Sequence, residues 1–216
     1  MSPAGLTDGT FSCYHIGKIS CSEIKAMSII LASASPRRRE LMKLITEDFI
    51  VRSAPVDERE IEKKCAGMTP EQTAIFLATK KAEAIVAEEG DIVIGADTSV
   101  VTEDKILGKP KDREEAYEML SSLAGRTHSV ITGVCILKGE EMRCFSEETL
   151  VEFMPRDGFM EDLIGRYVDS KEPYDKAGAY GIQGGGALLV RKIDGDYFNV
   201  VGLPVAGLAR ELAELI

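Results

Sequence analysis

Only two histidines, His15 and His128, occur in the 216-residue sequence, and its five cysteines (Cys13, Cys21, Cys65, Cys135, Cys144) include no CxxC pair. A histidine-rich metal site, a zinc ribbon and a thioredoxin-type redox motif are therefore not signalled. An odd, scattered set of thiols reads as reduced cysteines in a cytoplasmic protein. No apolar run approaches the ~20 residues of a membrane span, so no membrane partner is expected. Bases are scarce: 26 lysines and arginines face 36 acids, a net charge of −10. A chain so acidic lacks the broad basic face that displaces counterions from nucleic acid, so no nucleic-acid partner is expected. GxxxxGK[ST] is missing, which argues against a P-loop NTPase, and no GxSxG elbow supports a serine triad. Internal repeats and low-complexity linkers are also missing.

What is present is an ordinary globular composition, with 44% hydrophobic residues and enough length to bury a sizeable core. Residues 1–27 stand apart. Asp8 and Glu23 cancel Lys18 and Lys25, so 28–216 carry the whole net charge. The segment has no arginine for a transit peptide and no apolar core for a secretory signal. It is expected to be a disordered or dispensable extension, with one domain over 28–216.

From Ser28 onward the pattern becomes regular. Ile29–Ala32 predicts a buried strand, and Ser35 then caps a helix opened by Pro36, with an apolar stripe of Leu41, Leu44 and Ile45. A strand near Phe49–Arg52 leads to the acidic loop Val56-Asp57-Glu58. Thr69 and Gln72 have capping-box spacing for a helix that runs toward Gly90 and buries Ile75, Ala78, Ala82, Ile85 and Val86. Asp91–Val101 predicts a strand interrupted at Gly95-Ala96-Asp97-Thr98. A helix over about Asp112–Leu123 follows, then two strands, Thr127–Leu137 and Glu141–Met154, around Lys138-Gly139-Glu140. Asp157–Val168 predicts a helix, and Ala187–Ile193 a strand turning at Asp194-Gly195 into a second one, Tyr197–Val201. The last helix starts at Pro204 and buries Val205, Leu208, Ala209, Leu212 and Leu215. The expected class is α/β with a mixed β-sheet and flanking helices.

Four stretches could carry chemistry. Ser33-Ala34-Ser35-Pro36-Arg37-Arg38-Arg39 joins a strand to a helix. Its hydroxyls, amides and guanidiniums would suit a phosphate, whereas arginines in a first turn oppose the helix dipole and do nothing for stability. Gly95-Ala96-Asp97-Thr98 either offers a carboxylate to Mg²⁺ or water, or merely satisfies its own backbone. Glu58 with Asp97 would give the one or two carboxylates that Mg²⁺ commonly takes. Lys81 and Lys109 would concentrate positive charge for a triphosphate, though each alone is more often a solvated charge. Finally, Gly178–Gly186 holds five glycines in nine positions. Such a loop allows close backbone approach to a ligand, and the Gln183 amide can read a base edge.

Together these stretches resemble the Maf family of nucleoside triphosphate pyrophosphatases, also called septum-formation inhibitor-like proteins. The resemblance rests on ILASASPRRREL (30–41), VDE (56–58), LATKKA (77–82), IGADTSVV (94–101) and LGKPKDREEAYEML (107–120). It continues through LAGRTHSVITGV (123–134), EPYDKAGAYGIQGGGALLV (172–190) and IDGDYFNVVGLP (193–204). It implies two lobes around a deep cleft, similar to inosine triphosphate pyrophosphatases. It further implies cleavage of a nucleoside triphosphate to the monophosphate and pyrophosphate with Mg²⁺ or Mn²⁺. By position, Ser33, Ser35, Arg37 and Arg38 would bind triphosphate. Asp97 would be the general base, Glu58 a metal-linked acid, and Lys81 and Lys109 catalytic lysines, with the metal on Glu58 and Asp97. Arg38, Thr98 and Gln183 fall where substrate choice is set. Ala96-Asp97-Thr98 and Gln183 look like the branch acting on dTTP and UTP and on some modified pyrimidine nucleotides. The alternatives are a 7-methyl-GTP pyrophosphatase and a non-catalytic nucleotide-binding regulator of cell division. Homodimers are common in that family, and a homodimer is expected on that ground alone.

Overall fold

The structure, a computed structural model, describes residues 27–103 and 105–215. The expected N-terminal extension lies, but for Met27, outside the described residues. One mixed sheet organises the rest, in the order β2 (Ile50–Arg52), β1 (Ile29–Ala32), β3 (Ile92–Val101), β5 (Thr127–Lys138), β6 (Glu141–Phe153), β7 (Val190–Asp194). The short β4 (Ile106–Leu107) pairs off this path with β3. β1 runs parallel to β2 and β3, while β3 to β7 pair antiparallel along the path.

Among the described residues seven α-helices flank the sheet: α1 (Pro36–Met42), α2 (Glu58–Glu62), α3 (Pro70–Glu83), α4 (Arg113–Leu123), α5 (Gly158–Val168), α6 (Tyr197–Val201) and α7 (Val205–Leu215). Strand alternation decides which helix meets which face. Leu31, Ile92, Ile94, Ala96, Val134 and Ile136 pack with Leu41 and Met42 of α1 and Leu208 and Leu212 of α7. Ile30, Ala32, Val93 and Cys135 point the other way, onto Ala78 and Ala82 of α3. Farther along, Val100, Val130, Val151 and Phe153 join α4 and α5 in a third core. β3 thus leaves one pair of cores at Ala96 and enters the next at Val100, with Asp97, Thr98 and Ser99 between them.

The caps behave as the sequence predicts. Ser35 Oγ accepts from the Arg38 amide, and Thr69 and Gln72 form a reciprocal capping box; Asp112 and Asp157, where helices were only expected to begin, also prove to be the caps of α4 and α5. Several boundaries differ. β3 is not interrupted at Gly95-Ala96-Asp97-Thr98, because all ten of its residues pair with β5 and the ladder overrides local turn propensity. Tyr197–Val201 is helical rather than a hairpin strand, since Asp196 accepts from the Phe198 amide and Gly202 ends the turn. α1 stops at Met42, leaving Leu44 exposed and putting Met42 in the core instead. α3 ends at Glu83, well short of Gly90, so Val86 is exposed and Ile75 only half-buried. Thr73, Ala74, Leu77 and Lys81 complete its inner face. Glu58 opens α2 rather than lying in a loop, and β7 begins at Val190 after a 3₁₀ turn over Gly184–Leu189.

Candidate active site

The same alternation sorts the residues of β3. Asp97 shares the α3 side with Val93 and Gly95, whereas Thr98 faces α1 and the end of α6. Two glycines let α3 lie directly on the sheet. A Cβ on Gly95 would fall 2.1 Å from the Ala78 carbonyl oxygen, and one on Gly133 would fall 2.3 Å from the Ala74 carbonyl carbon. Gly133 is the register partner of Asp97. With the helix this close, Lys81, one turn beyond Ala78, reaches Asp97.

The Lys81 ammonium bridges two carboxylates, at 2.6 Å from Asp97 Oδ1 and 2.6 Å from Glu58 Oε1. Lys109, from the loop between β4 and α4, takes the other Glu58 oxygen, Oε2, at 2.9 Å. Partial burial would raise the Glu58 carboxyl, but the two lysines outweigh it and bring it down to about 2. Glu58 is thus ionised across the physiological range. Glu62, one turn along α2, lines the same cavity and goes the other way. Burial first, then the negative charges of Asp97 and Glu58, push it up.

On the opposite side, Arg38 is anchored by Nε to the Gly202 carbonyl (2.8 Å) and by Nη2 to Thr98 Oγ1 (2.9 Å). The Thr98 hydroxyl also meets Thr132 Oγ1 at 2.9 Å. Burial pulls the Arg38 guanidinium below its usual value, against the raising effect of Asp97 and Glu58. Arg37 pairs with Asp175 at 3.1 Å. At the start of α1 the amides are largely spent: Ser35 N donates to Ser33 Oγ (3.2 Å), Pro36 has none, and Arg38 N donates to Ser35 Oγ (3.5 Å). Positive charge here comes from guanidiniums more than from amides.

These side chains surround an open cavity of about 1000 Å³, lined by Ser35, Arg37, Arg38, Glu58, Lys81, Asp97, Thr98, Lys109 and Gln183. Six lysines and arginines and five carboxylates line it, a net lining of +1 in a chain of −10. An adjoining chamber of about 280 Å³ is bounded by Ser33, Ser35, Arg37, Arg38, Lys81 and Lys109, with Glu58 and Asp175 as its carboxylates. Every residue given a role by the family resemblance lines one space or the other, whereas Arg39 and Gly184–Gly186 line neither. Ser33 reaches only the smaller one and is nearly buried; Gln183 is exposed at the larger.

Sequence reasoning missed Glu62, Asp175, Lys176 and Tyr180, which also line the cavity. Glu62 was findable, because it lies four residues after Glu58 and hence on one helix face. The role of Tyr180 was not, since it depends on the buried contact of its hydroxyl with His128 Nε2 at 2.7 Å. The glycine-rich loop also serves packing: Gly186 abuts the Gly181 carbonyl, where a Cβ would come within 2.3 Å.

Residues 28–215 match the family model of the Maf-like protein. A protein named dTTP/UTP pyrophosphatase from Bacillus velezensis is 50% identical over 187 residues, covering 86% of this chain and 95% of that protein. One of the same name from Carboxydothermus hydrogenoformans is 50% identical over 192 residues, covering 87% and 98%. Among solved structures, the Staphylococcus aureus Ham1 protein is similar at 20% identity, with a TM-score of 0.40, over 62% of this chain and 78% of that one. The match across nearly all described residues, with relatives at half identity, makes this chain a member of the Maf-like protein family.

Proposed function

We propose that the chain is a nucleoside triphosphate pyrophosphatase that hydrolyses dTTP and UTP to the monophosphate and pyrophosphate. The observation that carries this reading is the Lys81 ammonium held between Asp97 and Glu58, beside a chamber with four cations and two carboxylates. A triphosphate needs concentrated positive charge and a water-activating base side by side, and these residues supply both. The names of the half-identical relatives agree with it.

In this reading the triphosphate lies along Arg37, Arg38, Lys81 and Lys109, and the nucleoside occupies the larger cavity near Thr98 and Gln183. Because Thr98 Oγ1 is already engaged by Arg38 and Thr132, its influence on substrate choice runs through the placement of Arg38. Asp97 takes a proton from the attacking water through Oδ2, the oxygen that Lys81 does not hold. The attack falls on the α-phosphorus, the α–β bridging bond breaks, and pyrophosphate leaves toward Lys109 and the arginines.

The donor set also fits a divalent cation. Among the described residues no three of His, Cys, Asp and Glu gather as a complete protein site. Glu58 and Asp97 would hold Mg²⁺ or Mn²⁺, matching the one or two protein carboxylates that Mg²⁺ commonly takes. When bound, such an ion supplies neutralisation of charge on the reacting phosphates.

Product analysis tests the reading. With dTTP or UTP and Mg²⁺, equal amounts of monophosphate and pyrophosphate are expected. Diphosphate plus inorganic phosphate would place the attack at the terminal phosphate and overturn it. Turnover of 7-methyl-GTP in preference to dTTP would overturn the substrate assignment, and tight binding with no product would make the chain a regulator.

A further inference from the structure

Cys135 and Cys144 stand directly opposite each other on β5 and β6. Neither lines the cavity or the chamber, and the proposed chemistry uses neither. As register partners they share one face of the sheet, the one that packs on α3, and Thr79 Oγ1 of α3 lies 3.7 Å from Cys144 Sγ. Cys135 is buried against Ala78 and Ala82; Cys144 is exposed. We propose that Cys135 and Cys144 form a modification site, a dithiol that closes into a reversible cross-strand disulfide by exchange with a low-molecular-weight disulfide of the glutathione class.

The geometry suits closure. Directly opposed residues of an antiparallel pair have Cα atoms about 4.5 or 5.5 Å apart, depending on the ladder position. Both values lie within the roughly 4.4–6.8 Å that a disulfide spans, so no strand has to move. The two thiols also divide the labour. Neighbouring Cys135 lowers the Cys144 thiol, opposed by burial, while the same pairing together with burial raises Cys135. The exposed sulfur is therefore the nucleophile and the buried one the resolving thiol.

The exchange balances. The Cys144 thiolate attacks one sulfur of the oxidant, forming a mixed disulfide and expelling one thiolate. Cys135 then gives up its proton and attacks Cys144 Sγ, forming the protein disulfide and expelling the second. One small disulfide is reduced to two thiols as the dithiol is oxidised. Among the described residues Cys65 has no such thiol partner: its thiol donates to the Ile61 carbonyl at 3.6 Å and is pushed up, by burial first.

The test is peptide mapping of the folded full chain after exposure to oxidised glutathione at neutral pH, with acid quench, alkylation and non-reducing trypsin digestion. Cleavage after Arg126, Lys138, Arg143 and Arg156 puts the two cysteines on separate peptides, 127–138 and 144–156. The expected product is the linked pair of these peptides, abolished by dithiothreitol. Cys135→Ser should instead retain glutathione on Cys144, and Cys144→Ser should yield no linked pair. Wild-type protein in which Cys144 keeps its glutathione unresolved would overturn the proposal. So would Cys65 reacting while both of these peptides are recovered alkylated.

Discussion

Lys81 Nζ stands 2.6 Å from Asp97 Oδ1, and it reaches Glu58 at the same distance. The lysine side chain is nearly buried, with 9% of its surface exposed, so Asp97 relies on it for neutralisation, while Glu58 also has Lys109 and water. Lys81→Met keeps the volume and removes the charge. It is expected to destabilise the fold by on the order of 3 kcal/mol, the lower end for breaking a buried pair, because Glu58 is partly solvated. Turnover should fall roughly 10²-fold or more, since Asp97 loses its fixed counter-charge and the tie that sets it beside Glu58. Urea unfolding beside steady-state kinetics measures the two effects separately.

Gly95 is where β3 and α3 touch. Gly95→Ala would drive its Cβ to 2.1 Å from the Ala78 carbonyl oxygen, and backbone cannot swing aside as a side chain can. The expected cost is about 1–3 kcal/mol of stability, typical of overpacking. Displacement of α3 should also separate Lys81 from Asp97 and lower kcat. Full activity in a destabilised variant would show that the helix position and the site are independent.

Two groups set distinct acid limits on stability. Burial lowers the ring of His128 from 6.5 to about 4, so between those values the unfolded chain binds a proton the fold refuses. Stability is therefore expected to fall as pH drops from 6.5 to 4, by up to about 1.4 kcal/mol per pH unit, and His128→Gln should flatten that slope. Glu58 is depressed from 4.5 to about 2, so its contribution is present above 4.5 and is lost as pH falls from 4.5 toward 2. Lys81→Met should shrink this second loss, leaving the part that Lys109 supplies. Denaturation midpoints at stepped pH resolve the two windows.

In the proposed function, Asp175 would compete with substrate for Arg37. The pair is partly solvated, at 30% and 59% side-chain exposure, and such pairs are worth about 0.2–1 kcal/mol. Asp175→Asn should therefore lower KM for dTTP by up to about fivefold and leave kcat nearly unchanged. Initial rates over a range of dTTP check it; a raised KM would make Asp175 a positioning group for the loop instead.

Most of the order of elements, and the starts of α1 and α3, were legible in the sequence because caps and apolar periodicity are local signals. Ser35-Pro36 and Thr69…Gln72 sit where the chain places them. Signals that depend on distant partners were misread. Gly95-Ala96-Asp97-Thr98 looked like a turn because nothing local reveals the β5 ladder, and Tyr197–Val201 looked like a strand by its aromatic and β-branched residues. Every residue carried over by family resemblance lines the cavity or its chamber. What those motifs could not disclose is who holds whom: the Lys81 bridge, the Thr98 hydroxyl spent on Arg38, and the Asp175 hold on Arg37.

The central claim is that Asp97 accepts the proton of the attacking water, and Asp97→Asn tests it with the least change of shape. Pyrophosphate release from dTTP and UTP, wild type beside the variant with Mg²⁺ or Mn²⁺ at saturating substrate, is the measurement. A fall in kcat of about 10²–10⁴-fold in a variant that still folds and binds nucleotide is expected. Near-full turnover in Asp97→Asn would contradict the account and move the base elsewhere, with Glu58 the first position to examine.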